Sequence, residues 1–270
     1  MSWAPAPAKL NLALVVGSVQ ENGKHELATV FQRLTLADRI GLEPAPALRV
    51  DGFPTDTIVR LALEALAREA GIEPAWRVSI EKNVPVAAGL AGGSSDAATA
   101  LRLANETLAQ PLPPARLAGL ARTLGADVPF FLTEGPQLGT RDGSELRPLE
   151  LPQDYTVLLL LPAGATKSST AEVYRAFDRR TGEQGFAARR EALRVSLENV
   201  RRSSDLALLP TNDLAASPTC ARLTELGAFR ADVTGAGPAV YGLFEHRARV
   251  ENAAEAMAGS GEVWITEPAW

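Results

Sequence analysis

The sequence contains a single cysteine, Cys220, among 270 residues, which excludes a disulfide within the chain and favours a reducing compartment. Long apolar runs are missing too, since runs such as residues 157–161 are far too short to cross a membrane. Residues 1–7 also lack the charged and apolar regions of a secretory signal. We therefore expect a cytoplasmic protein without a membrane partner.

A surplus of basic residues is missing as well. The net charge is −5, whereas general nucleic-acid binding normally shows a basic patch or stripe, so we expect no nucleic-acid partner. The two histidines and one cysteine form no cluster with metal-ligand spacing, and a protein-bound zinc is not expected. Phosphate ligands remain compatible with this composition, because backbone N–H groups and a few local cations can bind them.

The most informative segment is residues 85–96, Pro-Val-Ala-Ala-Gly-Leu-Ala-Gly-Gly-Ser-Ser-Asp. A strand-like stretch at 77–83 precedes it, and an alanine-rich helical pattern at 97–108 follows. Its glycines allow a tight turn and a close approach to a ligand, and the next side-chain oxygens are predicted to cap a helix N-terminus, which attracts phosphate. Two interpretations stay open, an ordinary capped helix after a glycine loop and a phosphate cradle. The glycines are Gly89, Gly92 and Gly93, and the predicted capping residues are Ser94, Ser95 and Asp96.

Three better-known phosphate loops do not fit this segment. The Walker loop needs a lysine near its end, and none lies between Asn83 and Asp96. The His-Arg-Asp and Asp-Phe-Gly motifs of protein kinases are not present. The dinucleotide fingerprint requires another glycine spacing and a buried apolar strand upstream.

Pro-x-x-x-Gly-Leu-x-Gly-Gly-Ser-Ser-Asp resembles the second signature motif of the GHMP small-molecule kinases, which include galactokinase, homoserine kinase and mevalonate kinase. Residues 6–12, Ala-Pro-Ala-Lys-Leu-Asn-Leu, resemble the first motif of that superfamily. Residues 233–241, Val-Thr-Gly-Ala-Gly-Pro-Ala-Val-Tyr, resemble the third. Each motif alone is weak, because it could be any strand or hairpin turn. The three in order, over nearly the whole chain, indicate a member of the superfamily.

Four further segments resemble one branch of the superfamily, whose acceptor is a cytidine-diphosphate-linked methylerythritol. The resemblance implies ATP-dependent phosphorylation of the 2-hydroxyl of that substrate, a step of the non-mevalonate isoprenoid pathway. Two alternatives are another GHMP kinase, with a homoserine or sugar acceptor, and a relative that binds ATP without catalysis. The four segments are 22–27 (Asn-Gly-Lys-His-Glu-Leu), 124–131 (Leu-Gly-Ala-Asp-Val-Pro-Phe-Phe), 169–174 (Ser-Thr-Ala-Glu-Val-Tyr) and 212–214 (Asn-Asp-Leu).

The same resemblance implies an α+β, two-domain GHMP kinase fold with the active site in the cleft between the domains. Residues 1–150 would form the N-terminal ATP-binding domain and residues 151–270 a ferredoxin-like C-terminal domain, with the boundary near residues 149–152, where Pro148 and Pro152 flank a change of pattern. We expect a monomer or weak homodimer. Apolar patterns predict strands at 10–19 and 156–161, a second apolar, β-branched segment at 28–36, and helices at 57–70 (ending at Gly71) and 113–124. The highly charged, arginine-rich stretch 186–206 is interpreted as a solvated helix.

Asp127 and Lys9 are the candidate catalytic residues. Phosphoryl transfer to an alcohol requires removal of the hydroxyl proton and stabilisation of the phosphoryl charge. The resemblance makes Asp127 the base, although the residues alone favour a turn aspartate that bonds nearby backbone N–H groups. Lys9 lies in an apolar strand pattern and would stabilise the transferring phosphoryl group; otherwise it would extend to solvent, as lone lysines do.

The remaining candidates bind substrate or nucleotide. Asn11 shares a strand face with the candidate lysine and would orient substrate or be satisfied at a strand edge. Lys24 and His25 fall where the family holds cytidine diphosphate, although a lone histidine is often structural. Lys82 would approach the nucleotide or lie at the surface, and Mg²⁺ is expected to arrive with ATP. The predicted ATP-binding residues are Lys82, Pro85, Val86, Ala87, Ala88, Gly89, Leu90, Ala91, Gly92, Gly93, Ser94 and Ser95, with Gly235 and Gly237 supporting the loop.

Three features depart from the family pattern. Lys24 replaces the usual tyrosine, so another ring, such as Phe177 or Phe186, would have to stack on cytosine. Asp56 replaces an asparagine near the expected adenine site, where an acidic group would weaken ATP binding or select another contact. Alanines replace loop glycines and must adopt negative φ or store strain; they are Ala87, Ala88 and Ala91.

Overall fold

The computed structural model describes residues 1–165 and 169–270 as a mixture of helices and mainly antiparallel strands. In the described residues, no helix is long and apolar enough to span a membrane. The strands are β1 (Ser2–Val19), β2 (His25–Pro44), β3 (Arg49–Asp51), β4 (Trp76–Glu81), β5 (Gln137–Arg141), β6 (Glu145–Pro148), β7 (Thr156–Pro162), β8 (Arg230–Val233), β9 (Val240–Phe244), β10 (Gly261–Thr266) and β11 (Pro268–Ala269). The helices are α1 (Ile58–Ala70), α2 (Gly92–Glu106), α3 (Pro114–Leu124), α4 (Thr170–Arg179), α5 (Phe186–Asn199), α6 (Pro218–Glu225) and α7 (Arg247–Met257), with 3₁₀ helices at Pro129–Leu132 and Ser203–Leu208.

The chain forms two compact units that alternate along the sequence. The first unit comprises Met1–Ala8, Leu36–Val86 and Ala91–Glu134, and the second comprises Lys9–Thr35, Ala87–Leu90 and Gly135–Trp270. The long strands β1 and β2 each supply residues to both units. Each unit is made of several segments of the chain, whereas the predicted domains are divided at one point between residues 150 and 151. That domain boundary stays a prediction.

The first unit combines parts of β1 and β2 and the whole of β3 and β4 with α1, α2 and α3. The end of β2 pairs antiparallel with β4, and β3 pairs parallel with β4. Helix α1 packs against α2 and α3. It forms because apolar residues recur at helical spacing and bury one face, including Val59, Leu63 and Leu66. Gly71 ends α1 in the left-handed conformation with φ 68°, as the sequence predicted.

The second unit contains a four-stranded antiparallel sheet in the order β10-β7-β9-β8. Residues 157–160 of β7 are fully buried, which explains their continuous apolar pattern. Helices α6 and α7 pack against this sheet. In the same unit, the first part of β2 pairs with β5 and β11.

The predicted elements are present, but several have different bounds. Strand β1 begins at Ser2 rather than residue 10, and helix α2 begins at Gly92 rather than residue 97. The predicted helix at 186–206 is α5 followed by a separate 3₁₀ helix. The separation arises because the Asp205 carboxylate accepts the N–H groups of Arg201 and Arg202, which turns the chain before the 3₁₀ helix.

Candidate active site

Part of the glycine loop, Ala87–Leu90, belongs to the second unit and packs on the turn between β8 and β9. Gly89 has φ +88°, and a Cβ atom at this position would clash with the carbonyl oxygen of Thr234. Only glycine can therefore adopt this conformation at this distance. The predicted supporting glycines, Gly235 and Gly237, lie in the same turn, and both have positive φ.

Two of the three loop alanines store backbone strain. Ala87 has φ +59° and Ala91 has φ +56°, in the left-handed region that costs a non-glycine residue about 1–2 kcal/mol. Ala88 is not among the residues with positive φ, and its side chain is buried. The strained interpretation thus holds at Ala87 and Ala91, and the loop keeps its shape with alanine there.

Helix α2 begins inside the predicted loop. Ala91 is the residue before its first turn, and no side chain caps the helix. Ser95 and Asp96 are fully buried within the helix. The predicted capping by Ser94, Ser95 and Asp96 is therefore wrong, because the glycine at position 92 is helical where the pattern suggested loop.

The start of α2 fits a phosphate ligand without that cap. The first N–H groups of a helix have no partner within the helix and carry partial positive charge. The Ser95 hydroxyl and the Asp96 Oδ1 are buried and have no hydrogen-bond partner among the described residues. Leaving such groups unpaired costs about 1–3 kcal/mol each, so a ligand or a proton that pairs them is favoured.

Lys82 is largely buried, with its side chain 15% exposed, and the surface interpretation is wrong. Its Nζ contacts Asp38 Oδ2 and lies 2.7 Å from Asp96 Oδ2. The other oxygen of Asp38 accepts the N–H groups of Asn83 at 2.6 Å and Val84 at 2.8 Å. Asp38 therefore fixes both the lysine and the backbone that leads into the loop.

Asp38 was not among the site residues predicted from the sequence. A charged residue between Ala37 and Ile40, in an apolar strand, was the available signal, since a buried aspartate needs a partner. The partner is 44 residues away along the chain, and no local pattern connects the two.

Burial is the main cause of the raised pKa of Asp96, which is about 7. The positive charge of Lys82 lowers this pKa, and the negative charge of Asp38 raises it further. Burial alone would lower the pKa of Lys82, but attraction to Asp96 and the hydrogen bond to Asp38 outweigh it and raise that pKa. The lysine is thus charged at neutral pH, while Asp96 exchanges a proton in that range.

Asp56 lies just before α1 and accepts the N–H of Val59 at 3.0 Å. This contact serves the N-terminus of the helix, where negative charge is favourable. Burial raises the pKa of Asp56 despite these backbone bonds. A structural role therefore accounts for an acidic residue here, and an effect on ATP binding stays a prediction.

Lys9 is buried, with 3% of its surface exposed, so it does not extend to solvent. Its Nζ donates to Asn11 Oδ1 at 2.6 Å. The Asn11 amide in turn donates to Thr29 Oγ1 at 2.7 Å, and that hydroxyl donates to the carbonyl of Ala13. Asn11 therefore orients the lysine, and it does so from the interior rather than from a strand edge.

A second buried chain of hydrogen bonds holds the backbone of Asn11. Its N–H donates to Thr234 Oγ1 at 3.2 Å, and its carbonyl accepts the Tyr241 hydroxyl at 3.1 Å. Arg230 Nε donates to the same hydroxyl at 3.2 Å and forms an ion pair with Asp232. Tyr241 and Arg230 were not predicted as site residues, although Tyr241 ends the third motif.

His25 is the first residue of β2 and Lys24 precedes the strand, and the two side chains have different surroundings. The His25 side chain is 10% exposed, and its Nε2 is 2.7 Å from Asp178 Oδ1. Lys24 is half-exposed and forms an ion pair with Asp142 at 2.6 Å. A polar cavity of about 340 Å³ next to this pair is lined by Gln20, Asn22, Glu26, Arg141 and Asp142.

The aromatic rings near His25 limit the choice of a stacking partner. The centroid of Tyr174 lies 4.6 Å from that of His25, and Phe177 meets the same imidazole edge-on at 5.9 Å. Phe177 is 1% exposed, so its faces are already covered by protein. Phe186 is only half-buried and carries the Arg190 guanidinium 5.3 Å from its centroid.

Asp127 lies between α3 and the 3₁₀ helix Pro129–Leu132, at the element boundary that the sequence predicted. It is half-buried, and the neighbouring Val128 and Phe130 are fully buried. The packing of these two side chains fixes the segment that carries the carboxylate.

Two family models match the chain, the GHMP kinases N terminal domain over residues 56–135 and the GHMP kinases C terminal over residues 198–263. A Chlorobium phaeobacteroides protein named 4-diphosphocytidyl-2-C-methyl-D-erythritol kinase is 34% identical over 279 residues, covering 97% of this chain and 95% of the relative. A Deinococcus radiodurans protein of the same name is 38% identical over 271 residues, covering 96% and 89%. The chain belongs to the GHMP kinase family.

Solved structures agree with this membership. A crystal structure of 4-(cytidine 5'-diphospho)-2C-methyl-D-erythritol kinase is 31% identical, covers 100% of both chains and has a TM-score of 0.81. A mevalonate kinase structure at 13% identity has a TM-score of 0.79 and shares the fold. The resemblance drawn from the motifs and the α+β GHMP kinase fold class are therefore confirmed.

The matched ranges of this GHMP kinase contain part of the predicted site. Asp127 and the glycine loop lie within 56–135, and Gly235 and Gly237 lie within 198–263. The other candidates precede both ranges; they are Lys9, Asn11, Lys24 and His25. The individual role of each candidate residue stays a proposal.

Proposed function

We propose that this GHMP kinase transfers the γ-phosphoryl group of ATP to the 2-hydroxyl of 4-diphosphocytidyl-2-C-methyl-D-erythritol. The observation that carries the proposal is similarity, over nearly the whole chain, to kinases named for that substrate, at 34% and 38% identity. A cytoplasmic location and a monomer or weak homodimer accompany it as predictions.

The reaction assigns one step to each catalytic candidate. Asp127 accepts the proton of the 2-hydroxyl as that oxygen attacks the γ-phosphorus, and the bond from this phosphorus to the β–γ bridging oxygen breaks to release ADP. Lys9, oriented by Asn11, stabilises the negative charge on the transferring group. Mg²⁺, when bound with the nucleotide, neutralises phosphate charge.

The glycine loop and the start of α2 bind the phosphates in this proposal. Gly89 shapes the loop through its positive φ, and Ser95 offers a buried hydroxyl that has no partner among the described residues. Lys82 adds a positive charge close to Gly92, where a Cβ would lie 3.3 Å from its Nζ.

Lys24 and His25 are proposed to contact the cytidine diphosphate of the acceptor. The bond from Asp178 to His25 Nε2 orients the imidazole, and its other ring nitrogen is then directed away from Asp178. Lys24 supplies an ammonium group, paired with Asp142, beside a polar cavity. Phe186 is the more exposed of the two phenylalanines considered for stacking on cytosine.

A coupled ADP-release assay with Mg-ATP and a panel of acceptors tests the proposal. We expect ADP release that depends on 4-diphosphocytidyl-2-C-methyl-D-erythritol and not on homoserine, mevalonate or galactose. Release with one of those acceptors instead would assign the chain to another branch of the family. Nucleotide binding without release on any acceptor would establish the non-catalytic alternative.

A further inference from the structure

Two buried carboxylates converge on one ammonium group in the first unit. Asp38 on β2 and Asp96 in α2 have no exposed side-chain surface, and both contact Lys82, which follows β4. Among the described residues, no second cation pairs with either carboxylate. With both carboxylates ionised, the cluster has a net charge of about −1, which burial makes unfavourable.

We propose that Asp38 and Asp96 are positioning residues of the nucleotide site, which hold Lys82 beside the start of α2 and take up a proton when the nucleotide binds. This inference rests on the proposed function, since it requires the nucleotide phosphates to lie at the glycine loop.

The cluster lies directly behind the loop backbone. A Cβ at Gly92 would be 3.2 Å from Asp38 Oδ2 and 3.3 Å from Lys82 Nζ. A net negative charge next to the loop backbone opposes the binding of a phosphate to that loop, and a proton on the cluster removes this charge. The nucleotide therefore binds the protonated state more tightly, and by linkage its binding draws a proton from solvent.

The proton resides on Asp96 rather than on Asp38. Two backbone N–H groups donate to Asp38 Oδ1 and favour its ionised form, whereas Asp96 Oδ1 has no partner among the described residues. The raised pKa of Asp96, about 7, agrees with this assignment.

The charged groups around Asp96 are few. Lys82 and Asp38 face it, and Asp56, before α1, acts on Lys82. Helices α1 and α3, which pack against α2, bury apolar side chains. A change in the protonation of Asp96 therefore changes the net charge next to the loop.

Titration calorimetry of Mg-ADP, in buffers of different ionisation enthalpy and with excess Mg²⁺, measures the proton uptake directly. For the wild type we expect uptake of a fraction of a proton near neutral pH. Its affinity should fall about tenfold between about pH 6 and pH 8.5, as the cluster loses its proton.

Asp96→Asn removes the exchangeable proton and keeps the shape of the side chain. It should bind Mg-ADP with no proton uptake and with an affinity that does not change over this pH range. Asp38→Asn is the second variant, since its amide oxygen still accepts the two N–H groups and only one carboxylate then pairs with Lys82. Asp51→Asn, in a surface ion pair with Arg49 and Arg77, is the matched control and should behave as the wild type.

A wild type that binds Mg-ADP without proton uptake would overturn the inference, and so would uptake that persists in Asp96→Asn. A purely structural role for the cluster would weaken both variants equally at every pH and leave the wild-type affinity independent of pH. No binding of Mg-ADP by the folded wild type would instead refute the nucleotide site and the proposed function with it.

Discussion

The ammonium of Lys9 donates a hydrogen bond of 2.6 Å to the side-chain oxygen of Asn11, two residues further along the same strand. The side-chain amide nitrogen of Asn11 donates to the Thr29 hydroxyl, and the backbone carbonyl of Asn11 accepts a hydrogen bond from the Tyr241 hydroxyl. All these groups are buried within the second unit. Contacts in that unit therefore hold the Asn11 side chain that accepts the hydrogen bond of the proposed catalytic lysine.

Asn11→Leu should lower kcat on the order of 10–100-fold and change the KM for ATP little, because Lys9 loses the bond that orients it. Steady-state kinetics with the cytidyl acceptor measure this effect. Thr29→Val, which keeps the bond between Lys9 and Asn11, is the control and should reduce kcat less. A folded Asn11→Leu variant with unchanged kcat would show that the lysine needs no such support.

Tyr241→Phe should lower the free energy of unfolding by about 1–2 kcal/mol, because the carbonyl of Asn11 and the Nε of Arg230 lose a buried partner. Tyr155→Phe is a matched control, since the Tyr155 hydroxyl is buried with no hydrogen-bond partner among the described residues. Its removal should be neutral or stabilise by up to about 1 kcal/mol. Equilibrium urea unfolding compares the two, and equal effects would contradict the proposed network.

Ala91→Gly should stabilise the protein by about 0.5 kcal/mol, because relief of the left-handed strain outweighs the larger entropy of the unfolded chain. Ala88→Gly, in the same loop without positive φ, should instead destabilise by about 1 kcal/mol, since it removes a buried methyl group. Urea unfolding of both variants gives the sign of each change. The same sign for both would argue against strain at Ala91.

Gly89→Ala should destabilise by about 2 kcal/mol or more, since its Cβ meets the carbonyl of Thr234 in a left-handed conformation. Gly93→Ala is the control within the same motif. A Cβ there meets only Ile58, at 3.7 Å, and alanine favours the helix, so this variant should be neutral or stabilised by up to about 1 kcal/mol. Thermal unfolding separates the two, and a tolerated Gly89→Ala would refute the close packing on the turn.

The sequence identified the parts of the site that local motifs carry. The glycine turn at residues 87–90 and the boundary position of Asp127 follow from residue types in a short window, and the structure places Asp127 between α3 and a 3₁₀ helix, as predicted. The partners were beyond reach, because Tyr241 contacts Asn11 across 230 residues. Hydrophobic periodicity predicts which face of a strand or helix is buried, but it does not predict which distant residue contacts that face.

Helix α2 begins five residues earlier than predicted, at Gly92 rather than residue 97, for a different reason. Glycine and serine usually indicate loop, yet at positions 92–95 they are small enough to let α2 begin close to Lys82 and Asp38. Tertiary packing overrode local propensity at that point. The buried acidic partners of Lys82 follow from the same packing.

The most direct test of the account is the rate of ADP formation by the wild type and by Asp127→Asn, with Mg-ATP and with or without 4-diphosphocytidyl-2-C-methyl-D-erythritol. Our prediction is acceptor-dependent turnover in the wild type, reduced on the order of 10²–10⁴-fold in kcat by Asp127→Asn with little change in KM. A folded Asp127→Asn enzyme that turns over at nearly the wild-type rate, or a wild type that ignores the acceptor, would contradict it.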